Sequence, residues 1–333
     1  MNYEEPYSRK PKKAARQPRR RRKTLGAWLA GALLRLFALA LAIVLVGGAV
    51  LYFLPVSLLA VEPEGVALSL TDGLPEDVAN VLLLGLDATH ENTRRSDSII
   101  IASIGRGRLH LTSVLRDTLL SIPDHGTGKL NAAYAYGGPW LVMRALNENL
   151  RLNIVHSVAV DYVALVRIVD ALGGVDIEIS QAEMEKINRD INANRPRWQA
   201  LGYTAGDLTD WGGNTHLNGL QALTYARIRK LDSDFVRASR QRALLSALLT
   251  RLRGSLWNPV RMFRLAQALL QAAVTDMNPF QLLSLGEKAL ASGVTGSLRL
   301  PADGSYADDG SSLQITDMQA NIAALQLAVY GEG

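Results

Sequence analysis

One uncharged apolar run near the N-terminus constrains this chain more than any other feature. Residues 36–56 (LFALALAIVLVGGAVLYFLPV) are 21 consecutive residues without a charge, and a transmembrane helix needs about 20. Arg35 precedes the run, and Tyr52, Phe53 and Pro55 stand where interfacial aromatic residues and a helix stop are expected. A buried core helix and a cleaved signal peptide are the alternatives, but the run is not amphipathic and its basic leader is long. The run therefore predicts an uncleaved transmembrane helix.

The charges are divided unequally about this run. Residues 1–35 carry eleven Lys or Arg against two Glu, a balance of +9, whereas the rest of the chain carries 25 basic and 29 acidic residues, a balance of −4. Because basic flanks stay on the cytoplasmic side, the pattern predicts a cytoplasmic tail at residues 1–35 and an extracytoplasmic C-terminal part. The basic stretch contains no aromatic residue that stacks on nucleotides, so membrane lipid is the expected contact and no nucleic acid is expected. The absence of cysteine excludes disulfide scaffolds, Cys-ligated zinc and thiol nucleophiles.

The remaining residues have the pattern of one layered domain. A turn-rich linker is expected at residues 57–77, followed by a single α-β-α domain of the α/β class, with a central mixed β-sheet, over residues 78–333. Apolar runs of strand length occupy residues 80–86, 98–104 and 109–115. Apolar residues at three-to-four spacing predict helices at residues 139–152, 162–172, 217–229, 234–252, 259–273, 279–291 and 315–330, with a loop at 207–218.

Charged residues gather where the first three strands begin or end. If these strands form a meander, one edge of the sheet collects Asp87, Arg94, Arg95, Asp97, Arg116 and Asp117. Carboxylate oxygens are the ligands that Mg²⁺ prefers, and guanidinium groups bind phosphate oxygens in pairs. The edge therefore has the composition of a metal and phosphate site, although a solvated loop with ordinary surface ion pairs explains the same residues.

A second basic cluster surrounds the start of a predicted helix. Arg227 and Arg229 end one helix, and Asp234 is a candidate N-cap for the next. Within that next helix, Arg237, Arg240 and Gln241 are spaced i, i+3 and i+4, so they share one face. No acidic residue occurs from residue 235 to 252, as it would on an ordinary charged face. This pattern favours an anion site, since a helix N-terminus already attracts negative charge.

Seven ordered segments cover roughly residues 78–255. They are LLLGLDA (82–88), RRSDSIIIASI (94–104), LRDTLLSIPD (115–124), KLNAAYAYGG (129–138), VDALGGVDIEI (169–179), LNGLQALTYARIR (217–229) and DFVRASRQ (234–241). Together, and with a looser similarity near the C-terminus, they resemble the LytR-CpsA-Psr family of cell envelope-related glycopolymer transferases. One departure is Leu115, where the family usually has proline.

The resemblance implies a membrane-anchored phosphotransferase, a polyprenyl-pyrophosphate glycopolymer to peptidoglycan ligase. Such an enzyme moves a glycopolymer from its lipid carrier onto a peptidoglycan acceptor and releases polyprenyl phosphate. By the same resemblance, Asp87 and Asp97 would hold Mg²⁺ (or Mn²⁺). The pyrophosphate would be bound by Arg95, Arg116, Arg227, Arg229, Arg237 and Arg240, with Gln241 beside them, and Lys129 is expected to reach the same edge.

The expected chemistry needs little covalent help from the protein. Arg116 would neutralise charge in the transition state, and either Asp97 or Asp117 would accept the proton of the attacking hydroxyl. Two other functions remain open, a pyrophosphatase that acts on the same lipid-linked saccharide and a membrane-bound transcriptional regulator or attenuator. An apolar slot for the lipid is expected between the helices at 139–152 and 162–172, lined by Leu141, Val142, Leu146, Val163, Val166 and Ile168.

Overall fold

A central six-stranded mixed β-sheet organises the fold. A computed structural model describes residues 67–87, 95–228 and 234–331, with the backbone alone for 270–272. The sheet has the strand order β10-β3-β2-β1-β6-β9, in which β1–β6 and β3–β10 are parallel pairs and the other pairs are antiparallel. Its strands are β1 (Val78–Asp87), β2 (Arg95–Gly105), β3 (Arg108–Val114), β6 (Ile154–Asp161), β9 (Ala273–Thr275) and β10 (Val294–Leu300).

The first three strands form the predicted meander. β1 and β2 pair from Val78 opposite Gly105 to Asp87 opposite Arg95. β2 and β3 are joined by Arg106 and Gly107, which both have positive φ values, 51° and 67°. Two consecutive positive φ values define the type I′ turn, whose twist matches that of the strands it joins. The end of β1, the start of β2 and the end of β3 consequently lie at the same edge of the sheet.

Helices cover both faces of this sheet. Alternate residues of β1 point to opposite sides: Leu82 and Leu84 pack with helix α1 (Leu130–Leu150) and helix α9 (Met318–Tyr330). On the opposite face, Val81 packs with residues of helix α6 (Asp234–Ser255) and helix α8 (Pro279–Ser292). The result is an α/β fold with a central mixed sheet between helical layers, as the sequence predicts.

A second hydrophobic core lies beside the central sheet. It joins helix α2 (Tyr162–Ala171) to helix α5 (Gly219–Ala226) through buried residues such as Val166 and Leu223. The other elements are β4 (Thr118–Ile122), β5 (Gly126–Lys129), β7 (Val175–Glu178), α3 (Gln181–Ala193), α4 (Arg195–Ala200), β8 (Asn214–Leu217), α7 (Pro259–Ala272), β11 (Tyr306–Asp308) and β12 (Leu313–Ile315). β11, β12, β4 and β5 form a four-stranded sheet, and β7 pairs with β8.

Several local predictions differ from the structure. The loop expected at residues 207–218 contains β8, because residues 214–217 pair with β7 although they lack an apolar run. The first helix begins at Leu130 rather than at 139 and is kinked at Gly137 and Gly138. Gly138 has a φ of 62° there, a left-handed conformation that glycine adopts most readily. The short strands β4, β5, β9, β11 and β12 were not predicted, since three to five residues carry too little periodicity.

The N-terminal predictions lie largely outside the described residues. This applies to the tail at 1–35, the apolar run at 36–56 and the linker as far as residue 66. Within the described ranges, no helix is both long enough and apolar enough to cross a membrane. Of the expected linker, residues 67–77 contact the domain: the Thr71 amide donates to the Leu152 carbonyl at 3.1 Å, and Asn147 donates to the Leu68 carbonyl at 2.9 Å.

Candidate functional site

Asp97 is the centre of the predicted edge. It lies near the start of β2, and its two carboxylate oxygens accept hydrogen bonds from different elements. Arg116, which follows β3, donates from Nη1 to Oδ1 at 2.6 Å, and Tyr162, the first residue of α2, donates its hydroxyl to Oδ2 at 2.8 Å. Hydrogen bonds to an ionised carboxylate are strong, so these two together fix the orientation of the Asp97 side chain at the edge of the sheet.

The protonation states of both donors are set by their surroundings. Burial disfavours the positive charge of Arg116, but the carboxylates of Asp97, Asp117 and Asp234 outweigh burial and raise its pKa above the ordinary value. Burial, followed by the negative charge of Asp97, raises the pKa of the Tyr162 hydroxyl. Arg116 therefore stays positively charged and Tyr162 stays protonated over the whole physiological range, so both remain donors to Asp97.

Arg116 links Asp97 to a wider ionic network. Its Nε atom lies 3.1 Å from Asp117 Oδ2 and 3.9 Å from Asp234 Oδ2. Lys129 Nζ lies 3.3 Å from Asp117 Oδ1 and donates to the Ser311 carbonyl at 2.7 Å. Asp117 thus connects Arg116 to Lys129, and neither Asp117 nor Lys129 lines the cavity described below.

The second basic cluster meets the first across Tyr162. Arg227 is exposed at the end of α5, and its Cζ atom lies 4.0 Å from the centroid of the Tyr162 ring, within the range of a cation–π contact. Arg237 is only 4% exposed, and its Nη1 atom lies 3.0 Å from Asp234 Oδ1 in the first turn of α6. The two predicted clusters consequently form one site at the edge of the central sheet.

Arg240 is the main difference from the predicted binding set. It was expected to share the anion-binding face of α6, but its guanidinium is buried and donates to Glu183 Oε1 at 2.6 Å and to the Ile228 carbonyl at 3.4 Å. Burial opposes the charge of Glu183, yet hydrogen bonds from Ser180 and Arg240 lower its pKa. These contacts show Arg240 joining α6 to the start of α3, and Arg240 does not line the cavity.

Three other predicted arginines are not placed at the cavity: Arg116 contacts Asp97 but does not itself line the cavity, and the other two are Arg95 and Arg229. Arg95 begins β2 opposite Asp87, but its side chain is exposed and does not line the cavity. Arg229, like Arg94, lies outside the described residues, so the structure does not describe its contacts.

A cavity of about 700 Å³ extends from this edge along one face of the sheet. At the sheet edge it is lined by Asp87, Asp97, Tyr162, Arg227, Arg237 and Gln241, and further polar lining comes from Lys186, Asp190, Asn194 and Arg197 of the α3–α4 segment. From the sheet edge the wall follows α6 and becomes apolar, with further side chains from α2 and α7; these residues are Leu244, Leu245, Leu248, Leu249, Leu252, Ile168, Leu172, Leu265 and Leu269. One continuous space therefore combines a charged mouth with a long apolar channel.

The predicted lipid slot was largely misplaced. Leu141, Val142 and Leu146 pack in the core on the opposite face of the sheet, and neither Val163 nor Val166 lines the cavity. Only Ile168 of that prediction does so. The leucines of α6 carried a usable signal, because they continue the face that begins with Arg237 and Gln241 at three-to-four spacing. Nothing in the sequence marked Tyr162 as a site residue, since a single tyrosine at a strand–helix junction is common.

The donor set at the mouth suits a divalent cation that also contacts phosphate. Asp87 and Asp97 both line the polar end of the cavity. Among the described residues, no group of three or more His, Cys, Asp or Glu side chains is arranged to hold a metal alone. Mg²⁺ is commonly bound by one or two carboxylates together with substrate phosphates and water. The residues present therefore fit a cation that is completed by its substrate.

Comparison with known proteins identifies the family. The model of the LytR_cpsA_psr family matches residues 61–327, which is most of the chain. The chain belongs to the LytR-CpsA-Psr family. Among similar proteins, the polyisoprenyl-teichoic acid–peptidoglycan teichoic acid transferase TagT of Bacillus subtilis (strain 168) is 32% identical over 182 residues, 52% of this chain and 52% of TagT. Regulatory protein MsrR of Staphylococcus aureus (strain COL) is 29% identical over 249 residues, 71% of this chain and 70% of MsrR. The match with TagT thus spans about half of its length.

Solved structures of TagT share the LytR-CpsA-Psr fold described above. A structure titled TagT bound to LIIa-WTA has a TM-score of 0.60 and 24% identity, covering 76% of this chain and 91% of that chain. A structure of TagT with bound octaprenyl pyrophosphate lipid has a TM-score of 0.56 and 22% identity, with the same coverage. At this level of identity, the likeness establishes the fold of the LytR-CpsA-Psr domain.

Proposed function

We propose that this protein transfers a glycopolymer from a polyprenyl-pyrophosphate carrier onto peptidoglycan and releases polyprenyl phosphate. The observation that carries the proposal is the continuity of the cavity, in which a mouth lined by Arg227 and Arg237 leads into a channel of leucines. A polyprenyl pyrophosphate has two matching parts, a charged head for the mouth and an apolar tail for the channel. The names of relatives support the same reaction class, since TagT is named a transferase from a polyisoprenyl carrier to peptidoglycan.

The dimensions of the channel support a long lipid tail. The cavity lining on α6 runs from Arg237 to Leu252, and a helix rises 1.5 Å per residue, so the lined face extends for about 22 Å. This length suits several isoprene units in extended form. The burial of so much hydrocarbon would contribute strongly to binding, because each CH₂ group removed from water is worth about 0.8 kcal/mol.

The charged mouth would act mainly by positioning and by charge stabilisation. Arg227 and Arg237 would bind the pyrophosphate oxygens, with Gln241 as a neutral donor beside them. Arg116 would hold Asp97 in place and add positive charge behind it. Asp97 or Asp117 is the proposed proton acceptor; Arg116 contacts both carboxylates, and of the two only Asp97 lines the cavity. In phosphoryl transfer, positioning and electrostatic stabilisation carry most of the catalysis.

A divalent cation would complete the mouth. We propose that Mg²⁺, or Mn²⁺, is held by Asp87 and Asp97, where it would neutralise negative charge on the pyrophosphate. The hydrogen bonds from Arg116 and Tyr162 are compatible with a cation at Asp97, because an ionised carboxylate offers about four acceptor positions.

We also propose the arrangement of the whole chain in the cell envelope. Residues 1–35 form a basic cytoplasmic tail, residues 36–56 a single transmembrane helix and residues 57–77 a linker. The transferase domain at residues 78–333 is extracytoplasmic and lies on the side where peptidoglycan is found. The support is the sequence itself, namely the length of the apolar run and the positive charge of its N-terminal flank.

The decisive experiment measures polyprenyl phosphate released from a polyprenyl-pyrophosphate saccharide by the full chain. Asp97→Asn and Arg227→Gln are expected to reduce release about 100-fold, because each removes a charge from the mouth. Arg189→Gln serves as the matched control, since Arg189 is exposed on α3 and does not line the cavity. Release close to that of the unmodified protein in both mouth variants would reject the proposed site.

The acceptor distinguishes transfer from hydrolysis in the same assay. Release that requires added peptidoglycan, with the glycopolymer recovered on the peptidoglycan, supports the transferase. Release at the same rate without an acceptor would instead identify a pyrophosphatase with the same mouth. Removal of divalent cations with a chelator, followed by addition of Mg²⁺ or Mn²⁺, tests the proposed cation: unchanged release after chelation would contradict it.

A further inference from the structure

An exposed apolar cluster lies where α6 ends and α7 begins. We call it the α7 patch, and its members are Leu256 (47% exposed), Trp257 (96%), Val260 (56%) and Phe263 (63%). Single exposed apolar residues are common on soluble domains, but four within eight positions of one turn and helix are not. A tryptophan whose whole side chain faces solvent is costly to keep in water, which indicates that something else covers the patch.

The patch is separate from the face by which α7 joins the domain. On that inner face, Leu265 and Ala268 are buried and pack with Leu172 of the segment after α2. Val260 and Phe263 are three residues apart, so they lie together on the outer side of the helix. The outer residues are therefore not needed to attach α7 to the core.

Two exposed arginines border the patch, whereas the neighbouring Arg251 lies 3.9 Å from Asp176 of β7. Arg253 in the last turn of α6 and Arg264 on α7 are both exposed. Neither of these two arginines has an ion-pair partner in the part of the chain that the structure describes. The sequence from residue 235 to 275 contains no acidic residue at all. Aromatic and aliphatic side chains beside arginine are the composition of helices that lie in the interface of anionic membranes.

The patch also adjoins the apolar end of the cavity. Leu252 lines the channel four positions before Leu256, and Leu265 lines it two positions after Phe263. The channel thus reaches the same turn of α6 and α7 whose outer surface bears the patch. A membrane at this surface would bring hydrocarbon close to the part of the cavity that is itself apolar.

We propose that the α7 patch docks onto the surface of an anionic lipid bilayer. Its apolar side chains would enter the interface by about 5–10 Å, the usual depth for such helices, while Arg253 and Arg264 contact lipid phosphates. The apolar run at residues 36–56 favours this occupant, because a predicted membrane anchor on the same chain keeps the local concentration of bilayer high. The docking does not depend on the proposed transfer reaction.

The absence of cysteine makes a direct test simple. Phe263→Cys in the full chain carries a single environment-sensitive fluorophore, and the protein is reconstituted in nanodiscs with or without phosphatidylglycerol. We expect a blue-shifted emission that lipids with a doxyl quencher reduce. Trp257→Cys is the second labelling site, in case Phe263→Cys lowers expression. Leu327→Cys is the matched control, since Leu327 is an apolar residue that is 74% exposed on α9, which covers the opposite face of the central sheet, and its label should not be quenched.

The charge dependence and the competing occupant are tested in the same system. Arg253→Gln and Arg264→Gln should each lower the ratio of docked to undocked protein about fivefold in anionic nanodiscs, since each removes about one favourable lipid contact. Equal quenching at positions 263 and 327, or none at both patch positions, would overturn the proposal. It would also be overturned if the labels at positions 257 and 263 became shielded in detergent as protein concentration increased, because the patch would then bind a second copy of the chain.

Discussion

Asp97 is the residue that connects the two sides of the candidate site. Its carboxylate is held from one side by Arg116 and from the other by Tyr162, at 2.6 Å and 2.8 Å. Tyr162 has a second task, because Arg227 lies over its ring. A single tyrosine therefore orients one acidic and one basic residue of the mouth. The sequence pattern predicted Asp97 and Arg227 as site residues but not the tyrosine between them.

Replacing Tyr162 with phenylalanine separates these two tasks. Tyr162→Phe keeps the ring beneath Arg227 and removes only the hydrogen bond to Asp97. A hydrogen bond to a charged group is worth about 1.5–3 kcal/mol, so we expect kcat/KM for polyprenyl phosphate release to fall about 10- to 100-fold. Tyr162→Ala should be more severe, because it also removes the support of Arg227.

Tyr203→Phe is the control for this substitution. Its hydroxyl accepts a hydrogen bond from Arg167 at an exposed position that does not line the cavity. Steady-state kinetics and thermal unfolding of both variants give the comparison. If Tyr162→Phe retains full activity with unchanged stability, the hydroxyl has no part in the site.

Helix α6 is the element that connects the two halves of the cavity. It presents Arg237 and Gln241 to the mouth and then a stripe of leucines to the channel. The spacing of its residues predicted the helix and the shared face of Arg237 and Gln241. The spacing could not show that Arg240 turns to Glu183, because a shared helical face does not fix which neighbouring element each long side chain reaches.

Filling the channel should affect long lipids more than short ones. Leu249→Trp adds volume to the apolar wall of α6, and we expect it to exclude at least one isoprene unit from the channel. With about 0.8 kcal/mol for each buried CH₂ group, the KM for a long-chain substrate should increase more than tenfold. The KM for a substrate with one or two isoprene units should change little.

The comparison of chain lengths is the internal control of this experiment. Both substrates present the same pyrophosphate to the same mouth, so a general loss of folding would reduce activity toward both. An equal change in KM for long and short substrates would show that the lipid tail does not occupy the channel.

For the whole molecule, the main prediction concerns which side of the membrane the domain occupies. Gln199→Cys introduces a thiol on α4, at an exposed position of a chain without cysteine. A membrane-impermeant maleimide should label this thiol in intact cells. Arg16→Cys in the basic tail should react only after lysis, as the charge distribution about residues 36–56 requires. Labelling in the opposite order would overturn the proposed topology.

The sequence alone was sufficient for the general plan of the domain that the structure describes. The meander of β1, β2 and β3 could be predicted, because three short apolar runs separated by turns have few ways to pair. The meander in turn places Asp97 beside Arg116, since adjacent strands connected by short turns must end at the same edge. Seven ordered motifs identified the family, whose model matches residues 61–327. Local patterns such as these are sufficient where the residues involved are close in sequence or joined by direct pairing.

Only the tertiary structure decided where the cavity lies and which residues line it. Leu141 and Leu249 are both helical leucines with the same local spacing, yet the first packs in a core and the second lines the channel. Burial depends on which face of the sheet a helix covers, and local periodicity carries no information about that choice. For the same reason, Arg240 and Arg237 look equivalent in the sequence but have different partners. The sequence determined which chemical groups are present, and the packing of distant elements determined which of them share one space.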